Sequence, residues 1–195
     1  MRNFNYSHLK DRTWDNEILS YVAKIHEFKG RQELYLRQKP VELERLVEIA
    51  KVQSTESSNR IEGIITTRSR LQQLVEDKTT PRNRDEKEIL GYRNVLNLIH
   101  ENYQYIPLKS NYILQLHRDL LQYTELSYGG KYKTSPNEID AVLPNGEKRI
   151  LFKPLEPYET PNAIEQICSS YQQTLDHEIV DSLILIPCVI LDFLC

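Results

Sequence analysis

The apolar C-terminal segment is the feature that most limits how this 195-residue chain can fold. The run from Leu183 to Cys195 is apolar nearly all round, and Asp192 is its one charged residue. A helix of that kind belongs in the centre of a fold, and the run is shorter than the roughly 20 residues that a membrane span needs. Pro187 within it predicts a kink or a nearby helix start. We therefore expect a buried core helix and no membrane association.

The polypeptide stops inside this apolar run, and no Gly, Asn, Lys or Arg marks the end of the helix. Chain termini are usually polar and exposed, and the last carbonyls of such a helix would lack a capping segment. The expectation from these residues is that the chain is cut off in the middle of its core. The alternative is a hydrophobic C-terminal helix that docks and frays.

Most of the remaining apolar residues recur at helical spacing. Leu43, Leu46, Val47 and Ala50 follow the i, i+3, i+4, i+7 rule, and the same helix can run on to Gly63, a good stop signal. Similar stripes recur in three later segments, 89–99, 113–120 and 164–175. The polar stretch 76–86 predicts a loop, and Thr66 or Thr67 and Ser110 can cap the helices that follow them.

One segment carries a β signal. The runs Glu138–Leu143 and Lys148–Phe152 flank Pro144-Asn145-Gly146-Glu147, and Asn-Gly between two such runs is a strong hairpin signal. The sequence thus predicts a mainly α fold, a helical bundle with one β-hairpin. The hairpin edge could pair with an extended peptide by β-augmentation. The alternative is a structural hairpin that covers the end of the bundle.

Charge and cysteine usage exclude several function classes. Lys plus Arg is 25 and Asp plus Glu is 28, a net charge of −3, which argues against nucleic-acid binding through a basic face. The three cysteines form no C-x-x-C pair and the five histidines show no zinc spacing, so we predict no metal site. The N-terminus shows no signal peptide, and a reducing cytoplasm is the expected location.

Two short motifs could carry chemistry. Ser58 and Glu62 are four residues apart and share one helix face. Glu62 lies where the helix dipole disfavours a carboxylate, so it needs a partner such as an arginine or a ligand; the alternative is a solvated glutamate beside a C-cap glycine. The Gly129-Gly130 pair could approach a phosphate, although a turn between helix and hairpin is the simpler interpretation.

Taken in order, these pieces resemble the Fic (filamentation induced by cAMP) family, whose members mostly transfer AMP from ATP to protein hydroxyls. Ser58-x-x-x-Glu62-Gly63 matches the family's inhibitory-helix motif, [S/T]-x-x-x-E-[G/N]. Gly130-Lys131-Tyr132-Lys133 resembles the turn ahead of the family's flap, and the hairpin around Asn145-Gly146 resembles the flap itself. The run 183–195 resembles the core helix that leads into the catalytic loop, His-Pro-Phe-x-Asp-Gly-Asn-Gly-Arg, which the 195 residues do not contain.

The resemblance implies a division of the chain and a role for each part. Residues 1–40 would be an N-terminal extension helix, 41–64 the inhibitory helix, and 65–195 the N-terminal part of the Fic core with the flap at 137–153. The C-terminal part of that core would be missing. No catalytic residue is implied in this chain, and ATP and Mg²⁺ are implied only for a complete family member.

The resemblance also names the site residues. Ser58, Glu62 and Gly63 would form the inhibitory site, and Asn145 and Gly146 the flap turn. The target-docking strand of the flap would consist of Ile139, Asp140, Ala141, Val142 and Leu143.

Two functions follow as expectations. The first is a portion of a self-inhibited Fic-type protein adenylyltransferase that is inactive as given. The alternative is a non-enzymatic α-helical interaction module that docks peptides on its hairpin. The expected partners are a protein substrate on the flap and a second copy through the apolar face of 183–194, with no nucleic acid and no membrane.

Overall fold

The fold is mainly helical, with a single antiparallel hairpin among the residues that the structure describes. The computed structural model describes residues 4–38, 40–76 and 78–194, so Cys195 lies outside the described residues. This architecture confirms the predicted fold class. The elements in chain order are a 3₁₀ helix at Tyr6–Asp11, α1 at Asn16–Gln38, α2 at Pro40–Ile61, α3 at Arg68–Val75, α4 at Arg84–Asn102, a 3₁₀ turn at Tyr103–Tyr105, α5 at Ser110–Leu120, β1 at Ile139–Val142, β2 at Lys148–Phe152, α6 at Thr160–Asp176 and α7 at Ser182–Leu194.

The chain divides into two compact units. The hairpin unit consists of the described residues of Met1–Arg12, Pro107–Gln115 and Gly130–Cys195, and the helical unit of those of Thr13–Ile106 and Leu116–Gly129. The sequence boundaries at residues 40 and 64 stay a prediction.

In the hairpin unit, α6 supplies most of the buried surface. Ile164, Ile167 and Cys168 of α6 are buried, as are Leu185 and Val189 on one face of α7. The N-terminal 3₁₀ helix joins this core, and the Tyr6 backbone N–H donates to the Ser170 hydroxyl at 2.8 Å. The first part of the apolar stripe predicted at 164–175 therefore faces the core of this unit, and its burial favours folding, whereas Leu175 at the end of the stripe is 37% exposed.

In the helical unit, the core lies where α2, α3 and α4 meet. Leu71, Leu74 and Ile89 are almost fully buried, and Val52 of α2 packs against them. Thr55 is completely buried, and its hydroxyl donates to the Lys51 carbonyl at 2.8 Å. A buried polar group costs free energy unless it is hydrogen-bonded, so this bond makes Thr55 compatible with the core.

The C-terminal helix departs from expectation because only one of its faces is buried. Leu185 is completely buried, but Ile190 is 52% exposed and Leu191 is 61% exposed. Within the hairpin unit α7 packs against α6, which covers one side of an all-apolar helix. The helix runs through Pro187 and begins five residues before it, where the Leu183 N–H donates to the Asp181 carboxylate at 2.8 Å. No described helix is long and apolar enough to cross a membrane.

The predicted helix starts are nearly those observed. Thr67 is the N-cap of α3, and its hydroxyl accepts from the Arg70 N–H at 3.4 Å. Ser110 is the first residue of α5 rather than its cap. Its hydroxyl donates instead to the Glu165 carboxylate of α6, because a partner from another element is available to it within the same unit.

Candidate functional site

The predicted inhibitory helix ends at the predicted residue, and its end is geometrically fixed. Gly63 has a φ of +78°, the left-handed conformation that favours glycine. Its N–H donates to the Arg60 carbonyl at 3.0 Å, and the Ile64 N–H donates to the Asn59 carbonyl at 2.9 Å. These two bonds form a Schellman motif. Glu62 is therefore the C-cap residue of α2, held between the last helical turn and a fixed glycine.

Ser58 and Glu62 have different surroundings. The Ser58 hydroxyl is half-buried and shares a 2.8 Å hydrogen bond with the Tyr92 hydroxyl of α4. Glu62 is exposed, and among the described residues its carboxylate has no hydrogen bond or ion pair. The nearby Arg60 pairs at 2.6 Å with Glu56 instead. The motif thus combines an anchored serine with an open carboxylate.

A buried ion pair, which the sequence patterns did not reveal, joins α3 to the first turn of α4. Arg70 of α3 donates to both carboxylate oxygens of Glu86 at 2.8 Å, and its Nη2 also donates to the Thr80 carbonyl at 2.7 Å. The Arg82 N–H donates to Glu86 as well. These donors, chiefly the Arg70 guanidinium, lower the pKa of Glu86 to about 2. The described residues 78–83 therefore form a loop fixed by Glu86, whereas the last part of the loop predicted at 76–86 belongs to α4.

One sequence signal pointed toward part of this arrangement. Asn83 and Glu86 have the spacing of a capping box at the start of α4. The Asn83 side chain does accept from the Glu86 N–H at 2.9 Å. The Glu86 carboxylate accepts from Arg70 and from the Arg82 N–H, and nothing local to α4 predicts Arg70 as a partner, because it lies 16 residues earlier.

Gly91 allows α4 to approach the end of α5 closely. A Cβ built at Gly91 would lie 1.9 Å from the Leu120 carbonyl oxygen, a distance that no real side chain tolerates. Only glycine therefore permits this approach within the helical unit.

The hairpin has the predicted turn residues in a three-residue arrangement. The Gly146 N–H donates to the Leu143 carbonyl at 2.8 Å, and the Leu143 N–H donates to the Glu147 carbonyl at 2.9 Å. Pro144 takes the second turn position, where its fixed φ suits a type I turn. Gly146 follows with a φ of +82°, which makes the loop a type I turn with a G1 bulge. Asn145 closes the turn by accepting from the Glu147 N–H at 3.0 Å.

The proposed docking strand is exposed along most of its length. In register, Asp140 pairs with Ile150, Ala141 with Arg149, and Val142 with Lys148. Leu143 follows the end of β1 and belongs to the turn. The exposed apolar residues of the hairpin include Ile139 (58%), Val142 (67%), Ile150 (55%) and Leu151 (62%).

The strands form a sheet of only two strands, so each strand has one edge without a strand neighbour in the described structure. Asp140 and Lys148 form an ion pair at 3.2 Å on one face. Charges of this kind limit uncontrolled edge pairing, while the backbone groups of β1 stay accessible to an added strand.

The turn ahead of the hairpin is a structural turn. Gly130 has a φ of +74°, and Tyr132 is half-buried. Burial raises the pKa of Tyr132, opposed by its hydrogen bond to Ser110. This placement of Tyr132 on α5 and α6 favours a role in packing over phosphate binding.

The two parts of the site lie in different units. Ser58, Glu62 and Gly63 belong to the helical unit, and the flap residues belong to the hairpin unit. Among the described residues, no group of three or more His, Cys, Asp or Glu side chains could hold a metal ion. His117 stacks near Tyr128 with ring centroids 6.2 Å apart, consistent with a packed histidine.

The fold of this chain is similar to that of a solved structure. It is a Fic domain-containing signaling protein from Bacteroides thetaiotaomicron, which matches with a TM-score of 0.64 and 26% sequence identity. The chain has a Fic-like fold. The match covers 75% of this chain and 55% of that protein, so the chain spans little more than half of the structure it resembles. No family model matches the chain, and no curated protein matches it.

Proposed function

We propose that the chain is the N-terminal part of a self-inhibited Fic-family protein that transfers AMP from ATP to a protein hydroxyl. The observation that carries the proposal is Glu62, an exposed carboxylate at a fixed helix end that has no partner among the described residues, within a Fic-like fold. A carboxylate at a helix C-terminus is electrostatically disfavoured. An arginine brought to it therefore gains more there than it would from an ordinary surface glutamate.

The proposed role of Glu62 is to occupy an arginine of the catalytic loop. In the Fic resemblance, that arginine binds the γ-phosphate of ATP, and pairing with Glu62 tilts ATP out of the productive position. Charge-assisted pairs of this type are short and directional. The Schellman end at Gly63 and the Ser58–Tyr92 bond limit how far the Glu62 backbone can shift, and a rigid inhibitor loses little entropy when the pair forms.

ATP and Mg²⁺ belong to the complete protein under this proposal. Among the described residues, no group of three or more His, Cys, Asp or Glu side chains could hold a metal ion by itself, and Mg²⁺ bound with a nucleotide usually takes only one or two protein carboxylates. The chain also lacks the His-Pro-Phe loop sequence, which would supply the general base. The proposed location is a reducing cytoplasm, which the lack of a disulfide pattern among the three cysteines supports.

The hairpin is the proposed docking site for the target protein. A target segment added beside β1 would bond to backbone groups of Ile139–Val142. The exposed apolar side chains of the hairpin would contact alternate residues of that segment. Backbone bonding supplies affinity with little dependence on the target's sequence.

A charge-removing variant tests the inhibitory role. In the complete protein, with the catalytic loop present, we expect E62Q to raise AMP transfer about tenfold or more, since hydrogen bonds to charged groups contribute about 1.5–3 kcal/mol. E44Q is the matched control, because Glu44 is also an exposed glutamate of α2 but lies outside the motif. Labelled AMP on protein is the readout. Equal rates for E62Q, E44Q and the parent would refute the inhibitory role.

The second candidate is a non-enzymatic interaction module that docks peptides on its hairpin. The exposure of Ile139, Val142, Ile150 and Leu151 favours it, because these side chains have no cover in the described structure. The same experiment separates the candidates. AMP transfer by the complete protein supports the first, whereas peptide binding to the hairpin without any AMP transfer supports the second.

A further inference from the structure

Helix α1 is long and amphipathic but buries none of its described side chains. Residues 16–35 are all exposed except Val22, which is half-buried. Helices in proteins gain most of their stability by packing an apolar face rather than from intrinsic propensity. A helix with no buried side chain among residues 16–35 therefore needs a cover that the described residues do not supply.

The exposed apolar residues of α1 follow a coiled-coil repeat. We define the α1 stripe as Ile18, Tyr21, Ile25, Phe28 and Tyr35, whose spacings of three, four, three and seven residues fit positions a and d of a heptad. Gln32 takes the one polar core position. This 3.5-residue period is the pattern that packs against another helix lying alongside, rather than against a sheet or a compact ligand.

The size of the α1 stripe fits a pair of identical helices. Its exposures run from 37% for Ile18 to 60% for Phe28. With aromatic side chains of about 150–250 Å² each, the stripe offers roughly 500 Å² of surface per copy. Two copies would bury about 1,000 Å², the lower limit of a specific interface.

The helix dipoles favour an antiparallel pair. Glu17 lies next to its beginning, and Lys24, Lys29 and Arg31 flank its middle and end. A parallel pair would place Lys24 of each helix against Lys29 of the other, two like-charge contacts. In an antiparallel pair with Ile18 opposite Tyr35, Lys24 of each helix would lie near Arg31 of the other, so the flanking charges do not set the direction. The helix dipoles do, because they oppose each other favourably in the antiparallel pair.

We propose that the α1 stripe is the dimer interface of this protein, where α1 packs antiparallel against α1 of a second copy. The pairing sets Ile18 opposite Tyr35 and Ile25 opposite Phe28. It differs from the dimer expected through the apolar face of α7, and it holds independently of the proposed enzymatic function.

A set of charge substitutions tests the interface by sedimentation or light scattering. We expect F28E to weaken dimerisation at least tenfold. L34E is the matched control, since Leu34 is 61% exposed on the same helix but outside the stripe, and we expect it to leave the dimer intact. L191E examines the face of α7, where Leu191 is also 61% exposed. Circular dichroism of each variant confirms that the helices remain.

The outcomes separate the proposal from its rivals. Loss of the dimer in F28E alone supports it. A protein that is still monomeric at a concentration on the order of 100 μM would overturn it. A dimer that only L191E dissociates would also overturn it. Binding of the stripe to another protein or to lipid while the chain itself stays monomeric would also overturn it.

Disulfide trapping tests the direction of the pair. In a background with the native cysteines changed to serine, chains with I18C should cross-link to chains with Y35C. Cross-linking of I18C only to itself would show a parallel pair and contradict the antiparallel assignment.

Discussion

At the scale of single residues, Glu86 has the largest expected effect on stability. Its pKa falls from 4.5 to about 2 on folding, chiefly because of the Arg70 guanidinium. A group whose pKa is lowered in the folded state stabilises the protein above its unfolded pKa and loses that contribution as the pH falls through the folded pKa. Stability should therefore decline between about pH 4.5 and pH 2.

The E86Q variant tests this assignment. We expect it to lower the free energy of unfolding by about 3 kcal/mol at pH 7, because it leaves a buried guanidinium without its counter-charge. Its stability should also vary less between pH 4.5 and pH 2. E88Q is the control on the same helix, since Glu88 pairs with the largely exposed Arg84, and we expect a change under about 1 kcal/mol. Urea denaturation at several pH values measures both.

Gly91 is the second residue whose substitution should change the stability of the fold. G91A places a Cβ against the Leu120 carbonyl oxygen, so α4 or α5 must shift, and overpacking of this kind costs about 1–3 kcal/mol. G30A is the opposite case, because Gly30 lies in helix α1 with nothing within 4 Å of the added Cβ. There alanine should stabilise the helix by about 0.5–1 kcal/mol. Thermal unfolding of both variants provides the comparison, and a neutral G91A would contradict the close approach.

At the scale of elements, the end of α2 depends on the conformation of Gly63. G63A should cost about 1 kcal/mol, because alanine is strained at a φ of +78°. G63N should cost less, since asparagine tolerates the left-handed conformation better than other residues with a side chain. Chemical denaturation ranks the three proteins, and equal losses for both variants would argue against a Schellman end.

Elements with local causes could be predicted from the sequence. The stop of α2 at Gly63 and the strand Lys148–Phe152 were predicted correctly, because a positive-φ glycine and a turn sequence act within a few residues. The cap of α5 was off by one residue, since Ser110 found a partner on α6. The Arg70–Glu86 pair and the approach at Gly91 could not be predicted, because both depend on tertiary contacts.

The same distinction applies to the candidate site. The spacing of Ser58 and Glu62 indicated a shared helix face, but the sequence could not show that Ser58 binds Tyr92, 34 residues away, while Glu62 stays open. For α7, hydropathy predicted full burial. Burial on one face only follows from which helices are present to cover it, and that is a property of the assembled unit.

At the scale of the whole molecule, the Fic-like fold favours AMP transfer as the activity, whereas the absence of the loop sequence predicts that these 195 residues cannot perform it. The chain supplies the helix with Glu62 and the hairpin, but its five histidines are His8, His26, His100, His117 and His177, and none is followed by Pro-Phe. A Fic-type transfer needs a histidine positioned to take the proton from the target hydroxyl. His117 instead packs near Tyr128.

We therefore expect the 195-residue polypeptide alone to transfer no AMP to any protein. The E62Q variant should be equally inactive, because removing the inhibitory carboxylate does not supply the loop histidine that acts as general base. The measurement is incubation with labelled ATP and a lysate, with the mass of the purified chain verified at 23.0 kDa. Labelled protein that depends on this chain would mean that a residue within it acts as the base. His117→Ala and His100→Ala would then show whether an α4 or α5 histidine is responsible, and the assignment of the chemistry to the loop would be wrong.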